Sequence, residues 1–148
     1  MGEEQSENLE LEADEKKKTV LYYADFSQEF DYYYSNVFSG EKLNLIDDFL
    51  DHYEYFGLSN WKGKISCSWK VPTAYPDWES REAFAKQYNL WHVHIGLPNW
   101  QSYPNIPFKT SNQVLHFQKI NHFEIKLLTL STHNPMDLPT LENILDEE

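Results

Sequence analysis

The sequence predicts an α+β fold: a small antiparallel sheet of about four strands packed by two or three helices. Three observations predict it. The patterns run in the order strand, helix, helix, then three strands. Leu43, Ile46, Phe49, Leu50 and Tyr53 recur at three- and four-residue steps and form one apolar helical stripe. The last two strand-like runs are separated only by Asn121-His122, which suits a tight hairpin, so the final three strands form a meander with one face under the helices.

Residues 1–18 (MGEEQSENLELEADEKKK) read as a disordered acidic arm, because acid and lysine blocks with almost no apolar content cannot build a core. Residues 19–148 are then a single domain. Residues 19–27 (TVLYYADFS) are rich in β-formers and predict the first strand. A polar-aromatic stretch at 28–37 suits a short helix, broken by Ser39-Gly40. The helix at 41–57 carries Asp47, Asp48, Asp51 and Glu54 on its outer side and stops at Gly57. Pro72 and Pro76 make 58–84 irregular, with one strand expected from Ile65 to Val71. A short helix follows at 80–88, capped by Ser80. Strands are expected at 90–96, 113–120 and 123–131, and a short C-terminal helix from about Pro139.

At 148 residues, 41% hydrophobic and 16% aromatic, the chain is too apolar for a disordered protein. A single cysteine, Cys67, excludes an internal disulfide and fits a reducing compartment. Residues 1–18 hold no apolar run of a secretory signal, and no stretch approaches the ~20 apolar residues of a membrane helix, so a cytoplasmic protein without a membrane partner is expected. The net charge of −12 is uneven: seven acids in 1–15 and five in 137–148 are matched by no base there, and the middle holds 12 acids against 12 bases. Between Lys86 and Met136, Lys86, Lys109, Lys119 and Lys126 face only Glu124, a local balance of +3. Overall charge thus speaks against nucleic acid, while local charge permits it.

Five of the six histidines lie in or beside this basic block. Strand alternation sends His92 and His94 to one face, about 7 Å apart, and Trp91, Val93 and Ile95 to the core face. His116 lies on the next strand, Lys109 just before it, and His133 just after the last strand. Histidine titrates near neutrality and can remove a ribose 2′-OH proton or protonate a leaving 5′-oxygen, while a lysine stabilises charge building on the phosphate. Trp100, Tyr103 and Phe108 are candidates for stacking on splayed bases. Other readings of the same residues stay open. The H-x-H step also suits two polar residues on a wet sheet face, or a zinc site with His116. His122 suits a turn, as does His133 beside Asn134-Pro135, and the hydroxyls of Thr110 and Ser111 suit a loop that satisfies its own backbone. No Gly-rich phosphate loop, CxxC pair or nucleophile elbow is present, and no cofactor is expected.

In their order, a helix LIDDFLDHY (45–53), an H-x-H strand HVHI (92–95), the step KTSNQVLHF (109–117) and a final apolar strand running into a histidine, IKLLTLSTHNPM (125–136), resemble the YafO family of bacterial toxins, in the wider RelE-like group of mRNA interferases. The resemblance spans Leu43 to His133. It implies a RelE-like α+β fold, a type II toxin held inactive by a cognate antitoxin protein, and endoribonuclease action on mRNA, often at translating ribosomes, with no DNA partner. By position it carries over His94, Lys109, Asn112 and His133, and His94, Lys109 and His133 are the catalytic candidates; His92, Thr110, Ser111, Asn112, His116 and Lys119 are the candidates for RNA binding beside them. Lys109 stands where the family tends to have arginine, and Asn112 where it tends to have aspartate. The chain departs from the basic character of such nucleases, having one arginine, Arg81, and the acidic arm is read as a polyanion mimic that shields the basic sheet. A non-catalytic acidic adaptor or inhibitor on the same fold is the alternative.

Overall fold

A computed structural model describes residues 21–146; the acidic arm assigned to residues 1–18 lies outside them. Strand β1 (Tyr23–Phe26) leads through Ser27 into α1 (Gln28–Asn36) and then α2 (Gly40–Phe56). After β2 (Ile65–Cys67) and α3 (Trp78–Gln87) come β3 (Leu90–His94), β4 (Gln113–Asn121), β5 (Glu124–Thr132) and the short α4 (Leu141–Leu145). The class is α+β, as expected, but the sheet has five strands rather than four and is mixed rather than antiparallel. Its order is β1-β5-β4-β3-β2. β1 runs parallel to β5, with Tyr23 opposite Glu124 and Phe26 opposite Leu127. A parallel neighbour needs a long connection, and here everything from α1 to β4 serves as one.

Caps set the boundaries. The Ser27 hydroxyl accepts from Phe30 N–H at 3.1 Å, which opens α1. Gly57 closes α2 at φ 64°, with its N–H on the Tyr53 carbonyl. The cap expected at Ser80 is not formed: α3 starts nearly a turn earlier, at Trp78, and the Ser80 hydroxyl donates to the Asp77 carbonyl at 3.0 Å. Arg81 pairs with Asp77 at 2.9 Å and favours the earlier start.

The two faces of the sheet are covered differently. On one, Phe30 of α1 and Ile46, Phe49 and Tyr53 of α2 pack with Val93, Ile95, Leu115, Phe117, Ile125 and Leu127 in a single apolar cluster. The predicted stripe of α2 supplies its buried positions. On the other, Ala85 of α3 and Ile144 of α4 pack with Leu90 and Leu128 in a smaller cluster flanked by Trp69, Phe84, Tyr88 and Leu138. Leu128 is the extra residue of a β-bulge, because His116 pairs with Thr129 and Phe117 with Leu127. Its carbonyl accepts from Ser27 Oγ and Asn143 Nδ2, and Lys126 and Asp146 form a 2.5 Å ion pair beside them, so α4 is sewn to α1 and β5. The remainder of this second face is where the histidines lie.

One glycine governs how β2 approaches that region. A Cβ on Gly63 would sit 2.1 Å from the His94 carbonyl oxygen, which already accepts from Trp61 Nε1 at 2.8 Å. The backbone contact cannot move aside as a flexible side chain would. Gly63→Ala is therefore expected to destabilise the protein by about 1–3 kcal/mol in urea unfolding, as overpacking does. An unchanged midpoint would show that the two chains separate freely here.

Candidate functional site

β3 and β4 align His92 directly opposite His116, with His94 beside Val114. His133 follows β5, and its backbone N–H donates to the Asn112 carbonyl at 2.7 Å, which extends the β4–β5 ladder by one position and sets His133 on the same face as Ser131. Four imidazoles therefore meet. Ring centres are 6.1 Å apart for His92 and His116, 6.4 Å for His92 and His94, 5.3 Å for His92 and His133, and 4.9 Å for His94 and His133. His92, His94 and His116 are buried, and His133 is exposed.

Each buried ring has an assigned partner. His92 Nδ1 lies 2.9 Å from Ser68 Oγ. His116 Nε2 lies 2.7 Å from Ser131 Oγ, whose own proton goes to the Thr132 carbonyl at 3.2 Å. The hydroxyl therefore accepts from His116, which places the proton on Nε2 and leaves Nδ1 buried as an unpartnered acceptor. His94 Nδ1 lies 2.8 Å from the Ser111 carbonyl and 3.0 Å from its N–H. One ring nitrogen serves only one of these at a time, so both neutral tautomers of His94 are accommodated.

Burial holds these rings neutral. Desolvation, followed by the charges of His116, His133, His94 and Lys64, lowers His92 to about 3. Desolvation dominates for His94, opposed by its bond to Ser111, and the result is about 4. His116 is also pushed down to about 4 by desolvation and then by His133. His133 moves below its ordinary value for the same first reason and then because of Lys64. The residue is exposed on one side and its ring lies 5.3 and 4.9 Å from those of His92 and His94 on the other. The histidines thus add no charge near pH 7.

Two open clefts flank this cluster. One, of about 350 Å³, is lined by Lys64, Lys70, Tyr75, Arg81, His92 and His133 among others. The second, of about 520 Å³, is lined by Lys64, His94, Gln101, Tyr103, Thr110 to Asn112, His133 and Asn134. Lys64, His133 and Asn134 border both and form a ridge between them. No carboxylate lines either cleft among the described residues. An anion is the complement of such a surface.

The site residues expected from sequence are distributed as follows. His92, His94, His116 and His133 come together, and Thr110, Ser111 and Asn112 border the larger cleft. Ser111 is structural: its hydroxyl accepts from Gly96 N–H and donates to the Gln113 carbonyl, both at 3.1 Å. Lys109 lines neither cleft; its backbone pairs with Lys62 and Lys64, and it is Lys64 that faces the histidines. Lys119 lies over the Trp91 ring, on the opposite face. Lys86 and Lys126 pair with Glu82 and Asp146, so the basic block does not form the site's field. Lys64 and Lys70, which precede that block, supply it instead, and Arg81 beside them is paired with Asp77. The one available signal was alternation in Lys64-Ile65-Ser66, which puts Lys64 and Ser66 on the face that pairs with His92.

No group of three His, Cys, Asp or Glu side chains is arranged to hold a metal ion among the described residues. No helix there is long and apolar enough to cross a membrane. No family model, curated protein or solved structure matches the chain.

Neutral burial has a thermodynamic consequence. Below pH 6.5 the unfolded chain takes up protons on these histidines while the native rings refuse them down to about 3–4, so stability falls as pH falls through that window. Urea unfolding free energy should drop by on the order of 2 kcal/mol for each of the three buried rings between pH 7 and pH 4.5. His116→Leu should flatten that slope, since Ser131 keeps its bond to Thr132. Equal slopes would show that His116 is protonated as readily in the fold as outside it.

Proposed function

We propose that the protein is a YafO-like toxin of a type II toxin–antitoxin system, an endoribonuclease that cleaves mRNA by acid–base catalysis without a metal. One observation carries the reading: neutral histidines and Lys64 converge on an open ridge whose flanking clefts are lined by no carboxylate among the described residues. The helix pair over a sheet and the H-x-H, KTSN and STH segments gathered at one end of it support the same reading.

His133 is the general base. It is the exposed ring of the cluster, and desolvation and Lys64 together keep it unprotonated near neutrality. It removes the ribose 2′-OH proton; the 2′-oxygen attacks phosphorus, and the bond to the 5′-oxygen breaks. Lys64 is the cation nearest this chemistry. It stabilises the charge on the phosphorane oxygens and returns a proton to the leaving 5′-oxygen, giving a 2′,3′-cyclic phosphate and a 5′-hydroxyl. His94, 4.9 Å from His133 and little exposed, positions that ring. Thr110 and Asn112 border the path of the downstream strand. The cognate antitoxin is the protein partner, and a cytoplasmic location follows from the substrate.

The acidic adaptor reading has its own supporting observation, the exposed Asp48, Asp51 and Glu54 of α2, but it leaves the ridge without a role.

Expression should arrest growth and fragment mRNA in vivo, and the purified protein should cut RNA in EDTA, with or without ribosomes required. His133→Ala should lower kcat/KM about 10²- to 10⁴-fold, as loss of a general base does. A harmless wild-type protein that leaves mRNA intact sinks the reading. Wild-type kcat/KM should rise through a pKa below 6.5 and then level off. Lys64→Met removes a charge that lowers His133, so the residual activity should have its acid limb at higher pH, while a limb that stays in place would separate Lys64 from His133.

A further inference from the structure

The smaller cleft has a construction that phosphate chemistry at the ridge does not use. It extends from His92 and His133 under Lys70, Val71 and Pro72 to Tyr75, Arg81, Met136 and Leu138. Its volume of about 350 Å³ lies within the ~300–1,000 Å³ typical of small-molecule sites. Val71, Pro72, Met136 and Leu138 make one part of it apolar, which a single phosphate does not need.

Arg81 is fixed there. Its Nε pairs with Asp77 at 2.9 Å, Nη1 donates to the Met136 carbonyl at 3.0 Å, and its guanidinium lies 4.8 Å from the centre of the Tyr75 ring. These bonds use two of its five N–H donors. The planar group is held by a helix, a loop and an aromatic face at once, and its side chain is 27% exposed. A guanidinium immobilised in this way presents donors in a set direction.

We infer that this cleft is a nucleobase subsite that selects a base with carbonyl acceptors, uracil or guanine, at the nucleotide flanking the scissile phosphate. The inference rests on the RNA-cleaving reading and assigns its substrate preference. An apolar, Tyr75-backed cleft takes the flat ring. The charged side chains lining it, Lys64, Lys70 and Arg81, are donors only, and no carboxylate is among them. Uracil O4 and guanine O6 match them. The amino groups of cytosine and adenine at the corresponding positions bring donor against donor and are left unsatisfied. The shared ridge of Lys64, His133 and Asn134 places this base directly beside the phosphate, with the larger cleft for the strand on the other side.

Uracil and cytosine differ at this edge by carbonyl against amino, so 2′-O-methyl trinucleotides of each, which lack the attacking hydroxyl, test the subsite without turnover. Binding of fluorescein-labelled oligomers to the full chain is read by anisotropy at low salt. The uridine trimer should bind about fivefold or more tighter than the cytidine trimer, the discrimination of one good polar contact to a base. Arg81→Met should bring that ratio to about one, whereas Lys64→Met should weaken both trimers alike. Tyr75→Leu, which removes the ring beneath Arg81 and leaves the ion pair with Asp77, should also shrink the ratio and serves if Arg81→Met does not fold. Equal wild-type binding, or a ratio that survives in the Arg81→Met and Tyr75→Leu variants, overturns the subsite while leaving the RNA reading in place. Absence of binding by both trimers overturns both.

Discussion

Everything near the ridge depends on one constraint: imidazoles placed inside a β-sheet must be neutral and must have partners. His92 and His116 face one another across β3 and β4, where a hydrocarbon pair would be easier to bury. The fold meets the constraint with hydroxyls and backbone at specific places. Ser68 comes from the turn after β2, Ser131 from β5 and Ser111 from the segment before β4. Three distant pieces of chain are thereby brought to the same spot, and the clefts are what lies between them. The fit is incomplete at the unpartnered Nδ1 of His116, as it is at Asn143 Oδ1 away from the ridge.

The sheet can accommodate such a polar cluster because its faces are unequal. The α1–α2 face holds the aromatic and aliphatic core, including Phe30, Phe49, Tyr53 and Phe117 with almost no exposure. That side supplies most of the apolar burial on which folding relies. The other face is closed only at its Leu90–Leu128 end by α3 and α4. Its remaining end is free to stay polar and open, which is the combination an anion site needs.

Much of this arrangement was legible in the residues. The stripe of α2 and the alternation of His92 and His94 rest on local periodicity, and periodicity survives folding; the expected hairpin is present with its turn one residue later, at His122-Phe123. The parallel β1–β5 pairing was not legible, because a strand's partner a hundred residues away leaves no local pattern. The strand at 65–67 ended sooner than its β-formers suggested, since Ser68 turns to meet Leu90 and His92. The source of the site's charge was misplaced for a related reason. Counting lysines along the chain picks out Lys109, Lys119 and Lys126, but ion pairs and facing decide which cations remain free. Lys64, beside the unassuming Gly63, is the one that reaches the histidines.

The parallel pairing of β1 with β5 also orders events in time. β1 gains its neighbour only when the strand ending at Thr132 has been made, and that strand carries Ser131 into place and delivers His133. The ridge is assembled by contacts distant in sequence, which carry the largest loop-closure cost. A chain broken off before β5 therefore lacks Ser131, His133 and the partner of β1, and has no site.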